Sequence, residues 1–368
     1  MRHNREFRLI LKRIKKMNNW LILNALFIVG ISITTIYSAT ISKSGAFHYK
    51  EAVWAGISIF AYMVVSMIDY KKYLKYYKVL YVFNILFLGA LLVIGDSRLG
   101  AQRWISLGPI SLQPSEVGKV IVVLTLSAFI SINFRDRTIG FKKFFTAGLF
   151  ILPVLLLILK QPDLGTTLII CFTFFVILFM ANLEWKTIIT MGIVGAISAP
   201  LSFFFLLKDY QRTRILTFLN PESDPLKSGW NVTQSMIAIG SGGLYGKGFL
   251  NSTQSKLRFL PEAHTDFIAS VFLEERGFVG GVLLFVLYFL LIMQILYIAD
   301  TTEDKYGKLI CYGIAAIFFF HFVINVGMTM GIMPVTGKPL LLMSYGGTSL
   351  LLSFIMLGIV QSVRIYRE

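Results

Sequence analysis

Ionisable residues are scarce in this chain of 368 residues, and cysteine and histidine are rarer still. Asp, Glu, Lys and Arg make up 15% of the sequence, where a soluble domain carries roughly a quarter. Both cysteines, Cys171 and Cys311, lie within apolar runs and the four histidines are scattered, so the sequence shows neither a disulfide framework nor a metal motif. Hydrophobic residues make up 56% of the chain, and its mean hydropathy is +0.71. This composition excludes a soluble globular domain and predicts a polytopic membrane protein.

Acidic residues are outnumbered by basic ones, 19 against 35, which gives a formal net charge of +16. Such a charge can indicate nucleic-acid binding. Here the basic residues are concentrated in short segments that flank apolar runs, which is the pattern that sets the orientation of membrane proteins. We therefore expect no nucleic-acid partner.

Apolar runs of spanning length predict an all-α fold of about ten transmembrane helices, in a single membrane domain covering residues 1–368. The runs are 20–39, 52–69, 77–95, 116–133, 144–160, 165–182, 187–207, 277–299, 308–332 and 346–364. The first run is too long for a signal-peptide core, so it is expected to remain as the first helix. Lys and Arg are concentrated in the basic segment 1–19 and in the even-numbered connections, which predicts that both termini are cytoplasmic.

The longest connection, residues 208–265, joins the seventh and eighth runs and is expected to be a large extracytoplasmic loop. Its middle, residues 230–239, can form a short amphipathic helix. Its basic residues suit an anionic ligand at the outer membrane surface, and a solvated loop attracted to membrane lipid is the alternative. The glycine cluster SGGLYGKG, residues 241–248, lacks the features of a nucleotide P-loop and predicts tight turns. Its successive backbone N–H groups could also bind a diphosphate.

The densest group of charges lies at the foot of the eighth run, in FLPEAHTDFIASVFLEERG, residues 259–277. Charged side chains beside hydrocarbon usually face a cavity, pair with one another or act on a substrate. Asp266 is therefore our candidate for the centre of a membrane-embedded active site. The alternative is that Asp266 caps the helix that follows it.

Two further polar segments lie at predicted helix ends on the outer side. RLGAQRWISLGPISLQPSEVGK, residues 98–119, is interrupted by Gly, Pro and Ser and is expected to lie along the bilayer surface or dip into it. Ser115 can cap the fourth helix, and Glu116 and Lys119, three residues apart, are neighbours on one helical face. They form either an internal ion pair or, with Arg103, a phosphate site in which Glu116 orients Lys119.

In KQPDLGTT, residues 160–167, Pro162 ends the fifth helix and Asp163 either caps the sixth or joins the site if it meets Asp266 in space. In MPVTGKPLLLMSYGGTSLL, residues 333–351, prolines and glycines predict a re-entrant turn, which needs internal hydrogen bonds at membrane depth. His321 and Asn325, four residues apart, are expected to supply them.

These segments together resemble the SEDS family (shape, elongation, division and sporulation) of membrane peptidoglycan glycosyltransferases. The most specific markers are RWISLGPISLQPSE, KQPDLGTT, GSGGLYGKGFLNSTQ, FLPEAHTDFI with EERGFVGG, and MPVTGKPLLLMSYGGTSL. The resemblance covers essentially the whole chain and is closer to the elongation (RodA) branch than to the division (FtsW) branch. One departure is Lys338, where the family usually carries an apolar residue; it puts a positive charge beside the presumed substrate cavity.

The resemblance implies polymerisation of lipid II, an undecaprenyl-diphosphate-linked disaccharide pentapeptide, on the outer face of the cytoplasmic membrane during cell elongation. The essential Asp of the family falls on Asp266, and its other important polar positions fall on Arg103, Glu116, Lys119 and Asp163. The implied partners are a class B penicillin-binding protein, which is a transpeptidase, and the elongation machinery.

The residues are consistent with that chemistry. Asp266 is the candidate general base for the sugar hydroxyl of the acceptor, and cationic groups would stabilise the departing diphosphate. Arg258 and His264, close to Asp266 in sequence, are further candidates for substrate binding. A divalent cation, Mg²⁺ or Mn²⁺, could take over part of the diphosphate charge, with Asp266 or Asp163 as its ligand. Two other functions fit the composition: a lipid II flippase, and a non-catalytic scaffold for a transpeptidase.

Overall fold

The structure is a computed structural model that describes residues 13–42, 45–94, 96–98, 101–107, 110–134, 138–205, 209–220 and 228–367. Within these ranges, eight helices are long and apolar enough to cross a membrane, and two shorter apolar helices accompany them. The prediction of a helical polytopic membrane protein is therefore confirmed.

The helices, in chain order, are α1 Asn19–Thr40, α2 Phe47–Met67, α3 Lys71–Lys75, α4 Tyr77–Ile94, α5 Pro114–Asn133, α6 Phe141–Lys160, α7 Leu164–Met180, α8 Trp185–Phe205, α9 Asp209–Leu219, α10 Ser228–Ser241, α11 Thr253–Lys256, α12 Ile268–Asp300, α13 Lys305–Thr329 and α14 Gly347–Tyr366. Most bounds lie within a few residues of the predicted runs. The exceptions are α2, which begins five residues before its predicted start at 52, and α12, which begins nine residues before 277. Polar residues at the start of α2, and the charged residues 274–276 within α12, interrupt the apolar pattern from which the helix starts were predicted.

The buried centre of the bundle is formed by α5, α13 and α14, whose spanning stretches are the most enclosed. Helix α14 packs along α2, α13 packs against α7 and α12, and α1 packs against α12. In contrast, the apolar side chains of α8 are almost all exposed. A helix with apolar residues on every side and few protein neighbours is stable only where lipid replaces water.

A small sheet forms largely in the segment of residues 98–119, which was expected to lie along the bilayer surface. Strands β1 Asp96–Arg98, β2 Ala101–Leu107 and β3 Ile110–Leu112 pair antiparallel in chain order. The prediction missed these strands because their alternation is short. Pairing satisfies backbone groups that would otherwise be costly to bring near hydrocarbon.

The long loop contains three helices, α9, α10 and α11. The predicted amphipathic helix corresponds to α10, whereas α9 was not predicted. The glycine cluster forms the expected tight turns, with positive φ at Gly243, Gly246 and Gly248. The backbone N–H groups of Lys247 and Gly248 donate to the carbonyl oxygens of Glu274 and Glu275, both at 3.0 Å. Since these N–H groups are already used, the alternative of a diphosphate-binding nest is wrong.

Helix α12 is kinked at Gly277, where φ is +63°. A Cβ atom at this position would lie 2.3 Å from the backbone nitrogen of Gly246. Before the kink, the fully buried carboxylate of Glu274 accepts hydrogen bonds from Lys247, Ser252 and Thr253. Part of the dense charge therefore holds the loop against α12 and does not face a substrate.

Candidate active site

Asp266 lies in the turn immediately before α12. The N-cap of α12 is Phe267, and it has no side-chain capping bond, so the alternative in which Asp266 caps this helix is wrong. Its backbone carbonyl accepts a hydrogen bond of 2.9 Å from Asn325 Nδ2. Its Oδ2 atom faces Gly337, where an added Cβ would lie 3.4 Å away. In the described part of the chain, no donor makes a hydrogen bond to its carboxylate.

The surroundings of Asp266 favour a carboxylate that can accept a proton near neutral pH. Burial and the negative charge of Glu262 raise the pKa of Asp266, while Lys338 and Arg214 partly offset them, and the result is a pKa of about 6. General bases work best when their pKa lies near the operating pH. The position therefore suits proton transfer.

Asp163 has the opposite surroundings. It caps α7 as predicted, because Oδ1 accepts from the backbone N–H of Thr166 at 3.1 Å. Its Oδ2 also accepts from Gln113 at 2.8 Å and from Ser115 at 3.0 Å. The prediction that Ser115 caps α5 is therefore wrong. The N-cap of α5 is Gln113, and it makes no side-chain capping bond. The acceptor that Ser115 reaches lies on another helix, which local sequence does not reveal.

Lys338 reaches Asp163 from the irregular segment between α13 and α14. Its Nζ lies 3.0 Å from Asp163 Oδ1, 2.5 Å from Thr166 Oγ1 and 3.6 Å from Glu116 Oε1. Only 3% of Lys338 is exposed. Burial opposes ionisation of Asp163, but Lys338 and the donors on Thr166 hold the pKa of Asp163 below its usual range. The sequence predicted a positive charge at Lys338 beside a cavity; in the structure this charge is enclosed by protein and paired with Asp163.

Glu116 and Lys119 form the predicted ion pair on one face of α5, with 2.6 Å between Lys119 Nζ and Glu116 Oε2. Lys119 Nζ also lies 2.7 Å from His321 Nε2, and Lys119 is only 1% exposed. In this conformation the ammonium is enclosed by protein. The structure thus contains the internal ion pair, and the role of Lys119 in phosphate binding stays a prediction.

The predicted backbone supports are confirmed. His321 Nδ1 lies 2.9 Å from the carbonyl oxygen of Pro339, and Asn325 Nδ2 donates to the carbonyl oxygen of Lys338 at 2.8 Å. A carbonyl oxygen can only accept, so the proton is on Nδ1 of His321 and Nε2 accepts from Lys119. These bonds satisfy the re-entrant segment, residues 330–346, from inside the bundle.

The remaining predicted residues lie at the rim. The His264 ring is mostly buried, with ring centroids 5.2 Å from Phe47 and 5.6 Å from Tyr345. Arg258 is exposed and donates to the carbonyl oxygen of Ser42 at 2.8 Å. The backbone of Arg103 belongs to β2, and its side chain lies outside what the structure describes.

One cation near Asp266 was not predicted. Arg214 on α9 lowers the pKa of Asp266 and lines a cavity of about 220 Å³ together with Thr217, Met236 and Pro334. The only signal in the sequence was the pair of arginines in QRTR, residues 211–214, at the start of the long loop.

Asp163 does not fit the predicted role of metal ligand. Both of its oxygens already accept from protein donors, and an ammonium lies 3.0 Å from each oxygen. Among the described residues, no group of three His, Cys, Asp or Glu side chains could hold a metal ion. Asp266 is the predicted ligand whose carboxylate oxygens are not occupied by described donors.

The chain is similar to known proteins over almost its whole length. The chain matches the FtsW/RodA/SpoVE family model, described as cell cycle protein, over residues 15–368. Peptidoglycan glycosyltransferase MrdB of Escherichia coli K12 is 40% identical, with 95% of this chain and 93% of that protein covered. Peptidoglycan glycosyltransferase RodA of Treponema pallidum is 35% identical, with 93% and 96% covered.

Solved structures show the same fold. The rod shape determining protein RodA of Thermus thermophilus has a TM-score of 0.72 and 29% identity, over 96% of this chain and 98% of that one. A chain of a peptidoglycan synthase complex, described as coordinating polymerization and crosslinking, has a TM-score of 0.82 and 30% identity, over 95% and 98%. This multi-pass helical membrane protein therefore belongs to the FtsW/RodA/SpoVE family.

Proposed function

We propose that this chain, a peptidoglycan glycosyltransferase like MrdB and RodA to which it is similar, polymerises lipid II during cell elongation with Asp266 as its general base. The observation that carries this assignment is the difference between the two aspartates of the site. Asp163 is charged, paired with Lys338 and fully bonded, whereas Asp266 has a pKa of about 6 and no described donor on its carboxylate.

In this mechanism Asp266 accepts the proton from the 4-hydroxyl of the acceptor GlcNAc. The hydroxyl oxygen then forms a bond to C1 of the donor sugar, and the bond from C1 to the lipid diphosphate breaks. The diphosphate leaves as an anion without needing a proton, so one carboxylate is sufficient, unlike the pair used by hydrolytic glycosidases. Cationic side chains stabilise the charge that develops on the leaving group.

The cations that we assign to the diphosphate are Arg214, whose charge lowers the pKa of Asp266, and Arg258 at the exposed rim. Lys119 and Lys338 form ion pairs with carboxylates inside the bundle, and we assign them a supporting role in the site and no direct contact with the diphosphate. Beside the site, an apolar groove of about 510 Å³ between α10, α12 and α13 begins at Ala269, three residues from Asp266. It is our candidate for the polyprenyl chain.

We place the site on the outer face of the cytoplasmic membrane and both termini inside, from the distribution of Lys and Arg. We also propose a class B penicillin-binding protein as partner. The similarity to a chain from a complex that coordinates polymerization and crosslinking supports this.

The test is a polymerisation assay with purified full-length protein and lipid II, in which glycan products are separated by size. We expect the wild type to make glycan chains and Asp266→Asn to make none while it elutes as a folded monodisperse protein. Full polymerisation by a folded Asp266→Asn variant would refute the role of Asp266. Translocation of lipid II without polymer would favour the flippase, and neither activity would favour the scaffold.

The same assay, run with EDTA and with added Mg²⁺ or Mn²⁺, tests the divalent cation. A loss that the metal restores would assign part of the diphosphate charge to an ion. Unchanged activity would leave the arginines as the compensating groups. A parallel series with and without the cognate transpeptidase would show whether that partner activates polymerisation.

A further inference from the structure

Lys338 occupies an unusual position for a lysine: it lies within the bundle, in an irregular segment, at a point where three motifs meet. Its ammonium contacts Asp163 and Thr166 at the start of α7 and lies 3.6 Å from Glu116 on α5. Its stem passes over Gly165, where a Cβ atom would lie 2.6 Å from Lys338 Cε. The glycine therefore makes room for the lysine to reach its acid.

The backbone around Lys338 is held as firmly as its side chain. Asn325 donates to its carbonyl oxygen, and His321 donates to the carbonyl oxygen of Pro339. His321 in turn accepts from Lys119, and Lys119 donates to Glu116, the same carboxylate that Lys338 approaches. These contacts close a ring that links α5, α13 and the re-entrant segment.

Asp266 lies against the re-entrant segment. The residue before Lys338 is Gly337, which has φ of +65° and faces Asp266 Oδ2. The side-chain nitrogen of Asn325 donates both to the carbonyl oxygen of Lys338 and to that of Asp266, at 2.8 and 2.9 Å. A shift of the Lys338 segment would therefore move Asp266 as well.

We propose that Lys338 is a positioning residue: its ion pair with Asp163 holds the re-entrant segment in the place where Asp266 meets the acceptor hydroxyl. Asp163 then acts through Lys338 and does not touch the substrate. This inference rests on the proposed role of Asp266. It assigns a mutual function to two side chains that are 175 residues apart in the sequence.

The test is a double-mutant cycle with Lys338→Met, Asp163→Asn and both together, in the purified full-length protein. Each single change leaves one buried group without its partner, whereas the double variant removes both charges of this pair. We expect each single variant to lose at least about tenfold in kcat with KM for lipid II changed less than about twofold, because positioning affects the reacting geometry more than binding. The double variant should be no slower than the slower single variant.

Several outcomes would overturn the proposal. Losses that multiply in the double variant would mean that the two residues act independently, and a rise in KM with unchanged kcat would mean that one of them binds substrate. If the single variants do not fold, the double variant should regain a monodisperse elution profile, and its failure to do so would equally reject the coupling. Lys160→Met, at an exposed lysine close by in sequence, is the matched control and should behave as wild type.

The failure of this proposal can be told from a failure of the proposed function. If the Asp266→Asn variant is active, Asp266 is not the general base, and the positioning of Asp266 by Lys338 has no function. An inactive Asp266→Asn variant combined with multiplicative losses at Lys338 and Asp163 would reject only the positioning role.

Discussion

The two aspartates of the site, Asp163 and Asp266, are both acids at the start of a helix, yet the protein treats them in opposite ways. Asp163 receives hydrogen bonds or ion pairs from four residues and remains charged in the interior. Among the described residues, Asp266 is held by a hydrogen bond to its backbone carbonyl, and its carboxylate feels the charges of Glu262, Lys338 and Arg214. A carboxylate that is fully bonded is a structural group, and one that is left without donors is available for chemistry. Substitutions at the two positions should therefore differ in kind.

Asp266→Asn should have the largest effect on rate. Removing a general base typically costs about 10²- to 10⁴-fold, and no second carboxylate in the described residues replaces it. Asn has nearly the same shape, so we expect the unfolding temperature to stay close to that of the wild type. The measurement is the initial rate of polymerisation beside a thermal unfolding curve. A large drop in unfolding temperature would show that Asp266 is also a structural group.

Asp163→Ala should have the largest effect on stability. It leaves the ammonium of Lys338 buried without its main acceptor, and breaking a buried ion pair on one side costs about 3–5 kcal/mol. Denaturant unfolding in detergent micelles should reveal this loss. If Asp163→Ala unfolds like the wild type while its KM for lipid II rises, the acid binds the substrate and the contrast with Asp266 disappears.

Asn325→Ala should be intermediate. It removes the donor shared by the carbonyl oxygens of Asp266 and Lys338, and an unsatisfied buried group costs about 1–3 kcal/mol. We expect lower stability together with a lower kcat, since the connection between the two regions is cut. Unchanged kcat in a folded variant would indicate that Asp266 keeps its place without this bond.

Glu262→Gln should have the smallest effect, and only at low pH. The rate of a reaction that needs ionised Asp266 should rise with pH through the pKa of about 6, because the base is protonated below it. Removing the negative charge of Glu262 lowers that pKa, so the acid limb of the rate profile should move to lower pH. At pH 7 most of the carboxylate is already ionised, and the rate should change by less than about twofold. A limb that does not move would show that Glu262 is too well screened by solvent to act.

What could be predicted from sequence was local. Glu116 and Lys119 are paired because three residues bring side chains to one helical face, and Asp163 caps α7 because Asp before a helix accepts its free N–H groups. His321 and Asn325 were expected to support the re-entrant segment because broken backbone at membrane depth must be satisfied from within. Asp266 was predicted to be a site residue from the density of charge and from the family motif, and its role stays a prediction.

The predictions that were wrong or missing involve partners far apart in the chain. Ser115 was assigned to its own helix end, although it donates to Asp163 on the next helical hairpin. The glycine turns were considered as a diphosphate site, but their backbone N–H groups donate to the carbonyl oxygens of Glu274 and Glu275. The effect of Arg214 on the pKa of Asp266 depends on how the loop of residues 208–265 folds over the bundle.

By itself, the sequence determined that this chain is a helical membrane protein, where most of its long apolar helices lie, and which family it resembles, because hydrophobic length, helix periodicity and capping act over a few residues. Only the tertiary structure decided which charged side chains pair with one another. In a medium of low dielectric constant the cost of a charge depends on the nearest opposite charge and the nearest donor, and for Lys338 and Asp163 that neighbour lies 175 residues away.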